Sequence, residues 1–114
     1  MLKIYGIKNC DTMKKAFNAL EQAGLSFEFH DYKKQGIDAE TLKTWLAHID
    51  QDILLNKKGT TWKKLTPEQQ AYALENQEQL IQTLIASPSM IKRPVLETQK
   101  GYLVGFKLEE YQSI

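Results

Sequence analysis

The spacing of apolar positions changes several times along this chain, and each change marks an element. Leu2 to Ile7 is a short β-branched and aromatic run suited to a first strand. Asp11 or Thr12 can then cap a helix in which Met13, Phe17 and Leu20 recur at helical spacing, with Ala16 and Ala23 beside them and Gly24 as a stop. Ser26 to Tyr32 alternates, with Phe27 and Phe29 on one face and Glu28, His30 and Tyr32 on the other, which predicts a second strand. A right-handed crossover makes the two strands parallel.

The middle of the chain reads as helical. Gly36 and Asp38 introduce a segment whose Leu42, Trp45, Leu46 and Ile49 line one face. A polar, lysine-rich connection from Asn56 to Trp62 leads to Thr66-Pro67-Glu68-Gln69, where an N-cap Thr, Pro at the first helical position and Gln at the third signal a helix start. Tyr72, Leu74, Leu80, Leu84 and Ile85 supply the apolar positions of the run to Ala86, broken near Asn76 and ended by Ser87-Pro88-Ser89. Val95 to Gln99 and Tyr102 to Phe106 flank Lys100-Gly101 as an antiparallel hairpin, and Leu108 to Tyr111 can form a last helical turn. The order is β-α-β, a helical block, then β-β-α. With the block at about residues 38–87 taken as an insertion, this is the order of an α/β, thioredoxin-like mixed sheet, in which the loop after the first strand holds a reactive thiol.

Composition narrows the field. The 114 residues, 42% hydrophobic and 25% charged, suit one globular domain with a core that needs neither disulfide nor structural metal. A net charge of +1 argues against holding nucleic acid or a membrane surface by bulk electrostatics. No stretch approaches the roughly 20 apolar residues of a membrane span. Met1-Leu2-Lys3 leads straight into a strand rather than a signal peptide, and the single cysteine has no internal partner. These features predict a cytoplasmic protein whose binding depends on a local site.

The candidate chemistry starts at Cys10, which falls where strand and loop give way to a helix. Free N–H groups and the dipole at a helix start favour an anion, so this thiol is expected to ionise below its free value of about 8.5 and to act as a nucleophile. Lys8 could lower it further. Arg93 is the only arginine, and its planar fork can grip an oxyanion or carboxylate through two hydrogen bonds. The remaining lysine doublets are interleaved with acids as solvated faces. His30 and His48 match no zinc spacing with one cysteine, so no metal is expected. Trp45 fits a helix face in the core, whereas Trp62 could pack or line a substrate groove.

Several blocks of the chain resemble one family: Tyr5-Gly6-Ile7-Lys8-Asn9-Cys10-Asp11-Thr12-Met13, Asp31-Tyr32-Lys33, Leu55 to Trp62, Pro88 to Val95 and Val104-Gly105-Phe106. In order, and over nearly the whole length, they are similar to the arsenate-reductase-related group that includes the Spx regulators, most of all to its YffB branch. The resemblance implies a thioredoxin-like fold with a helical insertion and a cytoplasmic bacterial protein. It puts Cys10 at the nucleophile position and Pro94 at a cis-proline beside the thiol, with Arg93 within reach of Cys10 and of its bound substrate. It also implies that two further arginines, which hold the oxyanion in arsenate reductases, are replaced here by Asn56 or Lys57 and by Phe106, so the bidentate clamp on arsenate is lost. Met13 stands where many Spx regulators carry a second cysteine, so any disulfide of Cys10 must be intermolecular.

Two functions emerge. One is a glutathione-dependent, arsenate-reductase-like thiol/disulfide reductase with no bound cofactor, glutathione as co-substrate and a glutaredoxin-type partner. In it Cys10 and Arg93 are catalytic, and Lys8, Asn9, Asp11, Thr12, Asn56, Lys57, Trp62 and Pro94 contact glutathione or substrate. The other is an Spx-like regulator that binds the C-terminal domain of the RNA polymerase α-subunit.

Overall fold

Strand β1 (Leu2–Gly6) lies inside a four-stranded sheet whose other members come from both ends of the chain. A computed structural model describes residues 1–114, and these fold as two compact units, one of residues 1–35 with 92–114 and one of residues 36–91. In the first, β1 is followed by α1 (Asp11–Gln22), β2 (Phe27–Asp31) and the single turn α2 (Tyr32–Gln35). The chain returns to it with β3 (Val95–Thr98), β4 (Gly101–Val104) and α8 (Leu108–Gln112). The strand order is β2-β1-β3-β4, with β2 parallel to β1 and the other pairs antiparallel, so the α/β mixed sheet is as expected.

The period-two pattern of the strands divides this sheet into two unlike faces. One carries Ile4, Leu96 and the half-buried Phe27, Phe29 and Leu103, which pack with Met13, Ala16, Leu20 and Tyr111 from the helices. Phe17 of α1 stacks on Phe27 at 5.5 Å and meets Phe29 edge-on at 5.1 Å. Burying each such side chain is worth ~1.5–3 kcal/mol, and this apolar layer fixes α1 against the sheet. The other face is amphipathic. Register places Glu28, Lys3, Glu97 and Tyr102 in one row and His30, Tyr5, Val95 and Val104 in the next. There the Tyr5 hydroxyl donates to Glu97 Oε1 at 3.0 Å, and the Tyr5 ring lies 4.8 Å from that of His30.

The second unit is mainly helical, with α3 (Ala39–His48), α4 (Gln51–Leu54), α5 (Thr60–Lys63), α6 (Pro67–Glu75) and α7 (Gln77–Ala86), a 3-10 turn at Pro88–Met90 and one antiparallel bridge between Leu55 and Ile91. Its caps follow the sequence closely. Thr66 and Gln69 form the reciprocal capping box, Asp38 caps α3, and Asn76 ends α6 and caps α7 through its bond from the Gln79 N–H. Leu42, Trp45, Leu54, Trp62, Ala73, Leu80 and Leu84 are among its buried positions.

Some expectations need correction. Tyr32 opens α2 instead of ending β2, because Asp31 accepts a hydrogen bond from the Lys33 N–H and turns the chain there. The hairpin turns through Gln99-Lys100, with Gly101 the first residue of β4. Thr98 Oγ1, which accepts from the Lys100 N–H and donates to the Gly101 carbonyl, closes the turn one residue earlier than glycine alone suggested. Tyr72, Leu74 and Ile85 are exposed. With a break at Asn76 each short helix buries one narrow stripe. In α6 Ala73 occupies it, and its neighbours, each about 100° away around the axis, turn outward.

Candidate active site

Gly6, at the end of β1, sets the geometry of the thiol loop. A Cβ on Gly6 would overlap the Met13 sulfur and stand 2.6 Å from Met13 Cε, so a larger residue there would force the buried Met13 side chain to shift. Met13 is buried there. Between them Asn9 has φ +60, a left-handed conformation that its short polar side chain tolerates better than most, and this reverses the chain into α1.

Cys10 itself is the N-cap of α1, with extended backbone at φ −119 and ψ 127, and its carbonyl accepts the first helical bond from the Lys14 N–H at 3.0 Å. The expected caps, Asp11 and Thr12, lie one and two residues inside the helix, because the left-handed turn at Asn9 brings the chain into register sooner. The thiol makes no side-chain cap hydrogen bond. What the helix offers is attraction to the thiolate. Burial is the largest single influence on Cys10 and pushes its pKa up. The Met13 and Thr12 N–H groups, with a hydrogen bond and the charge of Arg93, outweigh it and leave the thiol below its ordinary value. Lys8 is exposed and is not among the groups that draw the thiol down, so the local cation is Arg93.

Arg93 arrives from the far end of the sequence. Val95 pairs with Tyr5, so the residues before β3 lie at the sheet end where β1 leads to Cys10. The Arg93-Pro94 peptide is cis, Pro94 is buried, and its carbonyl accepts from the Gly105 N–H at 2.9 Å. Gly105 has φ +76. The chemistry this supports is a nucleophilic thiolate on a helix start, with an arginine fork beside it.

Residues 5–114 match the model of the ArsC family. The chain belongs to the ArsC family. A solved structure of a YffB protein is 45% identical, covering 99% of this chain and 97% of that one with a TM-score of 0.92. An arsenate reductase related protein from Brucella melitensis is 46% identical, with 98% and 92% covered and a TM-score of 0.75. An uncharacterised protein of Haemophilus influenzae is 38% identical over 113 residues, 99% of this chain and 97% of that one. The ArsC/Spx assignment, the YffB branch and the thioredoxin-like fold therefore stand.

Within this ArsC-family chain the predicted site residues divide by unit. Lys8, Asn9, Cys10, Asp11, Thr12, Arg93 and Pro94 belong to the sheet unit, while Asn56, Lys57 and Trp62 belong to the helical one. Asn56 Oδ1 accepts from the Lys58 N–H at 3.2 Å, Lys57 Nζ pairs with Asp52 at 3.5 Å in solvent, and Trp62 is buried. Phe106 rests edge-on against Tyr111 at 4.9 Å, a packing role that presents no charge. Sequence reasoning missed the Gly6–Met13 contact, for which the only signal was a glycine closing a strand just before the thiol loop. It also missed the buried, unpaired hydroxyl of Tyr32, which was read only as a strand-face residue.

Proposed function

We propose that this protein is a glutathione-dependent thiol/disulfide reductase of the arsenate-reductase-like type, working through one nucleophilic cysteine in the cytoplasm. The reading is carried by Cys10, placed as the N-cap of α1 and held below the ordinary thiol range by helix N–H groups and by Arg93. In the first step the Cys10 thiolate attacks one sulfur of a glutathionyl disulfide, forming a mixed disulfide with glutathione while the other sulfur leaves as thiolate. A second glutathione, as thiolate or through a glutaredoxin-type partner, then attacks the glutathionyl sulfur. Oxidised glutathione departs and the Cys10 thiolate is restored. Arg93 steadies the anionic group, and Lys8, Asn9, Asp11, Thr12 and Pro94 are the contacts we assign to glutathione on this unit. With one arginine fork instead of three, arsenate is the poorer fit, and a carboxylate-bearing thiol needs fewer fixed charges.

Intact mass spectrometry tests this. Oxidised glutathione should add one glutathionyl group to the wild-type chain and none to Cys10→Ser, and the adduct should persist until a second thiol is supplied, because Met13 cannot resolve it. If an alkylating agent modifies Cys10 but no adduct forms, the reductase reading fails. Binding to the RNA polymerase α-subunit in the Spx manner would then be the function to measure.

A further inference from the structure

Strand β4 runs in the same direction as β1, since each is antiparallel to β3, so the residues after Val104 emerge at the sheet end where Cys10 stands. The residues before β3 reach that end too. There the stem of Lys92 lies across Gly105: its Cε and Cγ stand 3.4 and 3.9 Å from where a Gly105 Cβ would be, at van der Waals contact. Gly105 is buried, has φ +76 and donates its N–H to the Pro94 carbonyl at 2.9 Å, so the stem spans the junction between the cis-proline loop and the entrance to α8. The ammonium, one bond beyond Cε, stands beside that junction.

Lys92 is exposed and makes no hydrogen bond or ion pair. Lys107, the other cation of the junction, is followed by Glu109 and Glu110 in the first turn of α8, whereas Lys92 has no acid within four residues on either side. Lys92 also adjoins Arg93, whose guanidinium bonds to the thiol, yet its own charge is not among those that draw Cys10 down. It is a cation of the active-site end that does not serve the sulfur. Glutathione needs a group so placed. Its two carboxylates stand several bonds from its sulfur, one on each side, and whatever binds them must sit apart from whatever meets the sulfur.

We propose that Lys92 selects glutathione, its ammonium pairing with a carboxylate of the tripeptide while Cys10 exchanges at the sulfur. The inference rests on the disulfide-exchange reading above and adds a specificity for carboxylate-bearing disulfides. When the Cys10 thiolate displaces one glutathione thiolate, one S–S bond replaces another, and the retained glutathionyl group keeps its carboxylate on Lys92 in the transition state and in the mixed disulfide. The free chain lacks that contact. It therefore favours adduct formation and the adduct's equilibrium population by the same factor. The rate of loss to reduced glutathione is unaffected, because the contact is already made before attack.

Lys92→Gln removes the charge and keeps most of the stem. Mass spectrometry can follow adducts formed from oxidised glutathione and from bis(2-hydroxyethyl) disulfide, which has no carboxylate. An exposed ion pair is a modest contact, so the variant should slow formation from oxidised glutathione about fourfold and lower the equilibrium constant equally. Loss of the glutathionyl adduct, and formation from the hydroxyethyl disulfide, should match wild type, and Lys107→Gln should match it throughout. An unchanged rate with oxidised glutathione overturns the assignment and leaves the reductase reading intact. Equal slowing with both disulfides also overturns it, because the effect would then lie at the thiol, and so does the same loss in Lys107→Gln, which would make it an effect of general charge. A wild-type chain that forms no glutathionyl adduct removes both readings together.

Discussion

At Cys10 two influences oppose each other: burial favours the neutral thiol, and helix N–H groups with Arg93 favour the anion. The anion prevails, so the alkylation rate plotted against pH should reach its midpoint below the free-thiol value of about 8.5. The sign follows from the depressed pKa: reactivity holds as pH falls through the free value and is lost only on passing the lower, folded one. A midpoint at or above the free value would remove the physical case for a nucleophile. Arg93→Lys should move that midpoint upward and weaken glutathione binding, because an ammonium keeps the charge but not the fork. Unfolding free energy should change by no more than about 0.5 kcal/mol, as Arg93 is only half-buried. Unchanged kinetics in this variant would reduce Arg93 to a surface charge.

Among the elements, the strand-to-helix junction is the tightest part of the thiol loop. Gly6→Ala should destabilise the protein by ~1–3 kcal/mol through overpacking against Met13, and Met13→Ala in the same chain should recover part of the loss, a coupling that denaturant unfolding of the four variants can measure. Full additivity would mean the two do not meet. The cap at Thr66 was legible because its reciprocal bond with Gln69 is specified by sequence spacing, whereas Asp38 was read only as introducing a helix and Asn76 only as a break, though both cap the helices that follow. The four-residue helices α4 and α5 were not legible, since one turn displays no period. The hairpin turn was read one residue late for a related reason: Thr98, not the glycine, closes it. In the site, Cys10 and Arg93 stood out by rarity and context. The Gly6–Met13 contact and the unpaired Tyr32 hydroxyl depend on what packs across strands, which periodicity along one strand does not reveal.

For the whole molecule, 15 basic residues nearly balance 14 acidic ones. A net charge of +1 gives little long-range steering, so encounter with an anionic disulfide depends on the immediate surroundings of Cys10. Raising ionic strength from ~0.02 to ~0.2 M shortens the screening length to below about 10 Å and should slow adduct formation by less than about threefold. A much steeper salt dependence in stopped-flow or quenched-reaction rates would point to a broader cationic surface than the one arginine beside the thiol.

The strand order also dictates when the site comes into being. β1 acquires β3 as a neighbour only after the residues following Arg93 exist, although Cys10 is made near the start. At the ~5–20 residues per second of translation, the thiol spends on the order of ten seconds outside the ribosome without its arginine. During that interval the thiol has at most the Met13 and Thr12 N–H groups of its own helix start to draw it down, and the hydrogen bond and charge of Arg93 join them only when the C-terminal hairpin docks.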